Sequence, residues 1–195
     1  DWFGYSVGID GGTVVVGAIR YERAIRYENA GSGAVYVFRT TDGGATYGQV
    51  AKLTASDAAS GDYFGWSVAI AGGTVVVGTY WNNNGSGSAY VFRTSDGGAT
   101  YVEVAKLTAS DAAAGDYFGQ NVAIDGDTAV IYGGGSVYIF RTTDGGGTWS
   151  QVAKLVTSDG VSISRTAISG DVVVAGPPRD DSIASNAGAA YVFSG

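Results

Sequence analysis

Three observations predict an all-β fold built from repeated four-stranded antiparallel meanders. Short β-branched and aromatic runs, such as Val14-Val15-Val16 and Val75-Val76-Val77, alternate with Gly and Asp turns along the 195-residue chain, and no stretch of any length carries a 3.6-residue apolar period. Glycine supplies 33 residues and proline only 2, which excludes collagen and requires many tight turns between short strands. Three sequence blocks also recur in a fixed order. The tyrosine of the second block steps from Tyr36 to Tyr90, Tyr138 and Tyr191, so one supersecondary unit takes about fifty residues.

The opening block, Asp1-Trp2-Phe3-Gly4-Tyr5-Ser6-Val7-Gly8-Ile9, returns at 62–70 and 116–124. The second, Ala34-Val35-Tyr36-Val37-Phe38-Arg39, returns at 89–93, 137–141 and 190–193, and the third, Val50-Ala51-Lys52-Leu53, at 104–107 and 152–155. In the second repeat the elements follow in order. A strand over 63–70 meets the turn Ala71-Gly72-Gly73, whose glycines tolerate positive φ, and a second strand over 74–78 completes a hairpin. A third strand over 88–94 and an Asp-Gly-Gly turn lead to a fourth strand over 101–108. Four strands per fifty residues predict a β-propeller blade, in which radial repetition buries both faces of each small sheet. Burial on both faces accounts for the Val-Val-Val runs, where a half-wet sheet would alternate.

The whole chain, 1–195, reads as one domain with repeats 1–61, 62–115, 116–160 and 161–195. The fourth repeat replaces its Phe-Gly opening by Ser162-Ile163 and ends after its third strand. An outer strand missing from a sheet leaves unpaired backbone groups that invite another strand, so the expectation is a partial propeller or one completed by oligomerisation.

Eleven Lys and Arg against 18 Asp and Glu give a net charge of −7, which repels phosphate backbones and anionic headgroups and predicts neither nucleic-acid binding nor membrane insertion. The absence of His and Cys removes the usual zinc sites, cysteine nucleophiles and His-assisted serine chemistry. No apolar run reaches membrane-spanning length. The chain starts at Asp1 and contains no Met, so it reads as a mature or excised segment, with an extracellular or cell-surface location expected. No cofactor is expected.

The Phe-Gly opening, the Val-Val-Val-Gly-Ala or Val-Val-Ala-Gly-Pro second strand and the Gly-Ala-Val-Tyr-Val-Phe third strand resemble FG-GAP repeats, the units of integrin-α-type β-propellers. The resemblance spans the chain. It implies a ring of about seven blades, of which 195 residues would make roughly half, and a ligand face carried by the links from strand two to strand three and from each blade to the next. Calcium-binding members place an Asp-rich loop between strands one and two. Here those links are Asp10-Gly11-Gly12, Ala71-Gly72-Gly73, Asp125-Gly126-Asp127 and Ser169-Gly170-Asp171. They offer one or two carboxylates where calcium takes six to eight oxygens, so no metal site is carried over.

Three further stretches, Thr40-Thr41-Asp42-Gly43-Gly44-Ala45-Thr46-Tyr47, Thr94-Ser95-Asp96-Gly97-Gly98-Ala99-Thr100-Tyr101 and Thr142-Thr143-Asp144-Gly145-Gly146-Gly147-Thr148-Trp149, are similar to the Asp-box hairpin of sialidase-like propellers. The role expected of Asp42, Asp96 and Asp144 is structural: each carboxylate accepts hydrogen bonds from turn amides while the final aromatic packs beneath. Sialidase activity would need an arginine cluster, but Arg39, Arg93 and Arg141 occupy one repeated position and read as scaffold.

Function is expected where the repeats differ, in the links 19–33, 79–87, 133–136 and 177–188. Tyr80, Trp81, Asn82 and Asn83 join two rings to amides, a set suited to stacking on a sugar while hydrogen-bonding its hydroxyls; the plainer reading is a loop whose Trp packs on the blade edge. Asn84-Gly85-Ser86 is a glycosylation sequon. The tandem Ala18-Ile19-Arg20-Tyr21-Glu22 and Ala24-Ile25-Arg26-Tyr27-Glu28 is either a hairpin arm or a solvated, salt-bridged loop. Arg179-Asp180-Asp181, with Asp171, either collects a cation or is an exposed polar turn. The leading expectation is a non-enzymatic extracellular binding or adhesion module whose partner is a glycan or extracellular protein. The alternatives are a structural subunit of an extracellular assembly or filament joined at open edges, and a fragment of a sialidase-like glycoside hydrolase.

Overall fold

The structure is a computed structural model that describes residues 2–19, 31–157, 165–176 and 189–194. Its strands are β1 (Trp2–Asp10), β2 (Thr13–Ile19), β3 (Ala34–Arg39), β4 (Gly48–Leu53), β5 (Ser67–Ala71), β6 (Thr74–Thr79), β7 (Ser88–Arg93), β8 (Val102–Leu107), β9 (Asn121–Asp125), β10 (Thr128–Gly133), β11 (Ser136–Arg141), β12 (Ser150–Leu155), β13 (Arg165–Ser169), β14 (Val172–Gly176) and β15 (Tyr191–Ser194). They form antiparallel meanders in chain order: β1-β2-β3-β4, β5-β6-β7-β8, β9-β10-β11-β12 and the three-stranded β13-β14-β15. The first strands β1, β5, β9 and β13 contact one another in series, so the sheets fan outwards as blades from an inner wall. This is a partial β-propeller of four repeats.

Among the described residues, apolar burial is divided among the seams between successive blades. The face of each blade turned to its predecessor is called here the front, and the face turned to its successor the back. In the first seam Val15, Val35, Val37 and Leu53 from the back of blade one meet Phe64, Val68, Ile70 and Phe92 from the front of blade two. In the second, Val76, Val91 and Leu107 meet Phe118, Val122, Ile124 and Phe140. The third is smaller, with Val130, Val137 and Ile139 against Val173 and Ala175. Alternation along β6 sends Val75 and Val77 to the first seam and Val76 to the second, and every residue of the strand is buried. The Val-Val-Val run is thus one strand serving two interfaces, each fully buried Val contributing about 1.5–3 kcal/mol relative to exposure.

The first strand of the second repeat starts four residues later than the sequence predicts. Tyr63 and Gly65 adopt φ of 58° and 89°, which breaks the extended run. Phe64 instead pairs backwards in a parallel bridge with Gly33 of blade one and donates its N–H to the Ser32 carbonyl at 2.7 Å. The third repeat does the same: Phe118 bridges Gly87 and donates to the Ser86 carbonyl at 3.0 Å. In blades two and three the Phe-Gly block therefore stitches the blade to the previous one. In blade one the block pairs with its own β2, Phe3 opposite Ala18, with a register shift before Ser6. The close approach leaves no space for a side chain at Gly78, where a Cβ would overlap the Gly119 carbonyl.

Candidate functional site

The seams use up most of the repeated polar residues. Asp57 accepts from the Tyr90 hydroxyl at 2.6 Å and from Lys106 Nζ at 2.6 Å, and Lys106 lies over the Tyr90 ring at 5.3 Å. The next seam repeats this with Asp111, Tyr138 at 3.0 Å and Lys154 at 2.6 Å. The hydrogen bond from Lys106, then that from Tyr90, hold the Asp57 carboxyl below its usual range, and burial followed by the Asp57 contact pushes the Tyr90 phenol well above its own.

The hairpin aspartates are equally committed. Asp96 accepts from the Thr100 hydroxyl at 2.6 Å, the Thr100 and Ala99 amides at 2.9 Å each, and the Thr94 hydroxyl at 2.7 Å. These bonds, the Thr100 hydroxyl first, place its carboxyl far below the ordinary range. Asp42 and Asp144 receive the corresponding threonine bonds and shift the same way. In the second and third hairpins the closing aromatics, Tyr101 and Trp149, reach into the seam in front of their blade. Arg39 and Arg93 lie against Gly98 and Gly146 of the following hairpin, whereas Arg141 has Asp171 at 3.6 Å.

What the seams do not absorb is a strip of rings running across three blades. Trp2 neighbours Tyr5 at 6.0 Å between centroids, Tyr5 neighbours Trp66 at 4.6 Å, and Trp66 neighbours Tyr80 at 4.3 Å. Tyr80 then stacks with Tyr63 at 5.5 Å and meets Tyr117 at 5.8 Å, while Trp81 stacks on Tyr117 at 5.6 Å with planes 14° apart. Left-handed backbone at Tyr63 and Tyr117, with φ of 58° and 54°, holds two of these rings in place; such φ is uncommon for a bulky residue and persists only where its surroundings fix it.

Of the residues expected at the site, Tyr80 and Trp81 join this strip, Trp81 with 45% of its surface exposed. Asn83 and Asn84 are exposed in a left-handed turn with φ of 53° and 59°, and Asn83 donates to Ser86 Oγ at 3.3 Å. Asn82 faces inward. Its Nδ2 donates to Asp62 at 3.0 Å, and its Oδ1 accepts from Ser88 Oγ at 3.0 Å and Lys106 Nζ at 3.2 Å. The loop that carries the two rings is thereby fixed to the Asp57–Lys106 seam. The other expected features, residues 20–28 of the first link, 179–181 of the last and Ser162-Ile163, lie outside the described residues.

Trp66 was not among the expected residues, although its position carries a signal: within the repeated block it is Tyr5, Trp66 and Gln120 in turn. Trp66 and Tyr5 also rim a mainly polar cavity of about 420 Å³ between the first strands of all four blades, which Gln120, Asn121 and Arg165 help to line. Ser6 and Ser67 on its wall donate to the Gly65 and Gly119 carbonyls at 2.7 and 2.8 Å, and Asn121 accepts from the Thr166 amide at 2.7 Å. Burial raises the Tyr5 phenol, with Arg165 opposing the shift. The strip and this cavity form one continuous surface, aromatic at its outer end and polar, with a cation, at its inner end.

The FG-GAP repeat pattern matches residues 1–38, 47–92, 101–140 and 149–193. The chain belongs to the FG-GAP repeat family. Each match after the first begins around an outer strand and runs through the first three strands of the following blade, so the family unit spans a seam. Among solved structures, Sqt1 from Chaetomium thermophilum superposes with a TM-score of 0.64 at 13% identity, over 100% of this chain and 43% of that one. Saccharomyces cerevisiae Sqt1 gives 0.59 at 12%, over 91% and 43%. This chain spans less than half the length of either, and the likeness is one of fold. A comparison with curated proteins finds no match.

Proposed function

We propose that this FG-GAP domain is a non-enzymatic binding module that holds an extracellular partner on the aromatic strip, with Tyr80, Trp81 and Asn83 as contacts and Asn82 as the residue that positions them. The single observation carrying this reading is the unbroken contact of seven rings across three blades. Rigid aromatic side chains supply large contact area at low entropic cost and dominate binding energies where they cluster. The repeated aspartates are staples of the Asp-box kind, already saturated by their own hairpins, and take no part in chemistry. A glycan partner is favoured over a flat protein surface at the outer end, where the exposed Trp81 plane stacks on Tyr117 with the Asn83 amide in the adjoining turn. Glycosylation at Asn84 would cover this same end, so the module binds in its unglycosylated form.

The test is Trp81→Ala assayed on glycan and extracellular-protein arrays. The expected outcome is a loss of at least about tenfold in affinity for whatever the unmodified chain retains, with a stability change of about 1 kcal/mol or less because the ring is half in solvent. Retained affinity in the variant sinks this placement of the site.

A further inference from the structure

The inner end of the aromatic strip carries a charge pattern that ring stacking alone does not explain. The first strands β1, β5, β9 and β13 contact one another in series and wall the polar cavity of about 420 Å³, a volume within the range of about 300–1,000 Å³ typical of small-molecule sites. Its lining is set by contacts among these four strands and not by where the chain starts or stops. One position decides its character. Ser6, Ser67, Asn121 and Arg165 stand on the same rung of their blades, opposite Gly17, Gly78, Tyr132 and Gly176. At that rung blades one to three staple themselves to the next blade. Ser6 and Ser67 donate to the Gly65 and Gly119 carbonyls, and Asn121 accepts from the Thr166 amide and hydroxyl at 2.7 and 2.9 Å. Blade four carries a guanidinium there, with five N–H donors in a planar fork.

Among the described residues Arg165 is the one charged group lining the cavity, in a chain whose net charge is −7. Its charge reaches blades one and three, where burial raises the Tyr5 and Tyr132 phenols and the guanidinium acts against that rise. Gln120 lines the same cavity, in the place that Tyr5 and Trp66 hold in the first two blades. The cavity thus combines two rings with centroids 4.6 Å apart, an amide and a single cation.

We infer that this cavity is the subsite for a carboxylated sugar, a uronic acid within the glycan whose outer part lies on Trp81. The inference rests on the glycan reading of the strip given above. The carboxylate pairs with the Arg165 guanidinium, the sugar ring lies against Trp66 and Tyr5, and the Gln120 amide takes a hydroxyl. A guanidinium fork matches a planar carboxylate in a bidentate pair, whereas the acidic chain as a whole repels a polyanion. Trp81 meets Tyr80 at 6.0 Å and Tyr80 meets Trp66 at 4.3 Å between centroids, so a short run of sugars held at the outer end leads along the rings to the cation.

Isothermal titration of the full chain with three matched trisaccharides tests this: one ending in glucuronic acid, its carboxyl-reduced form, and a sulfated neutral counterpart. The acid should bind about tenfold or more tighter than the reduced sugar. Arg165→Gln should abolish that preference while leaving the affinity for the reduced sugar and the melting temperature unchanged, because the side chain is exposed at the rim. Trp81→Ala should weaken the acid and the reduced sugar by the same factor. Glucuronic acid alone should shift the indole N–H resonance of Trp66, identified by its loss in Trp66→Phe. Equal affinity for acid and reduced sugars, both still weakened by Trp81→Ala, overturns this subsite and leaves the strip standing. An acid preference that needs Arg165 but not Trp81 upholds the subsite and sinks the outer contact instead. Tighter binding of the sulfated sugar, an acid preference that survives Arg165→Gln, or no binding of any of the three overturns the inference.

Discussion

Phe3 and Phe118 hold the same place in their repeats and make nearly the same ring contacts. Phe3 meets Tyr36 and Phe38 at 5.7 and 6.1 Å, and Phe118 meets Tyr138 and Phe140 at 5.4 and 6.0 Å. Only Phe118 has a preceding blade over it, to which its backbone is bridged. The same side chain on the same local scaffold is a buried keystone in one blade and a surface residue in the other. Its energetic role is therefore set by the seam, and the seam belongs to two blades at once.

The largest expected effect tests that difference directly. Phe118→Ala should cost about 3–5 kcal/mol in denaturant unfolding, through lost transfer energy and the cavity left behind. Phe3→Ala should cost about 1 kcal/mol or less, because that ring is largely exposed. Equal costs would mean that the contacts within a blade, and not the seam, carry the stability.

Next in size is the carboxylate that ties two blades together. Asp57→Asn should lose about 1 kcal/mol at neutral pH, a modest figure because the Lys106 pair is partly solvated. The sign of its pH dependence follows from the lowered folded pKa of Asp57 and Asp111. The unfolded carboxyl titrates near 3.9, so the stabilisation is fully present above about pH 4 and is lost as pH falls through the lower folded values. Acid titration of the melting temperature should accordingly be shallower in the variant.

Tyr90 behaves in the opposite sense. Its raised phenol leaves stability intact below the unfolded value of about 10 and erodes it as pH climbs beyond. Alkaline melts of Tyr90→Phe should lack that component. A variant that retains the full alkaline loss would assign it to other groups.

The repeated part of this architecture is legible in the sequence because each blade writes it out again. The order of strands, the doubly buried Val75-Val76-Val77 and the scaffold role of Arg39 and Arg93 all follow from recurrence plus period. Where a strand begins is less legible. The block from Tyr63 reads as continuous strand because its aromatic and β-branched residues favour extension, but the bond from Phe64 to Ser32 is a contact with the preceding blade that local pattern does not contain. The setting of Asn82 is hard to read for a related reason: its hydrogen bonds with Asp62, Ser88 and Lys106 join residues that local pattern does not bring together. Trp66 shows the complementary lesson. A position that varies inside an otherwise repeated block marks a place where shape is secure and chemistry is free.

Division of the core into three separate seams also bears on how the molecule comes apart. A chain with one central core tends to open all at once, but here each boundary holds through its own residues, and the set around Val130, Val137, Ile139, Val173 and Ala175 is the smallest. Amide protons of β13, β14 and β15 should exchange with solvent first, ahead of those in β6 and β7, as in a row of linked units that frays from its weaker end.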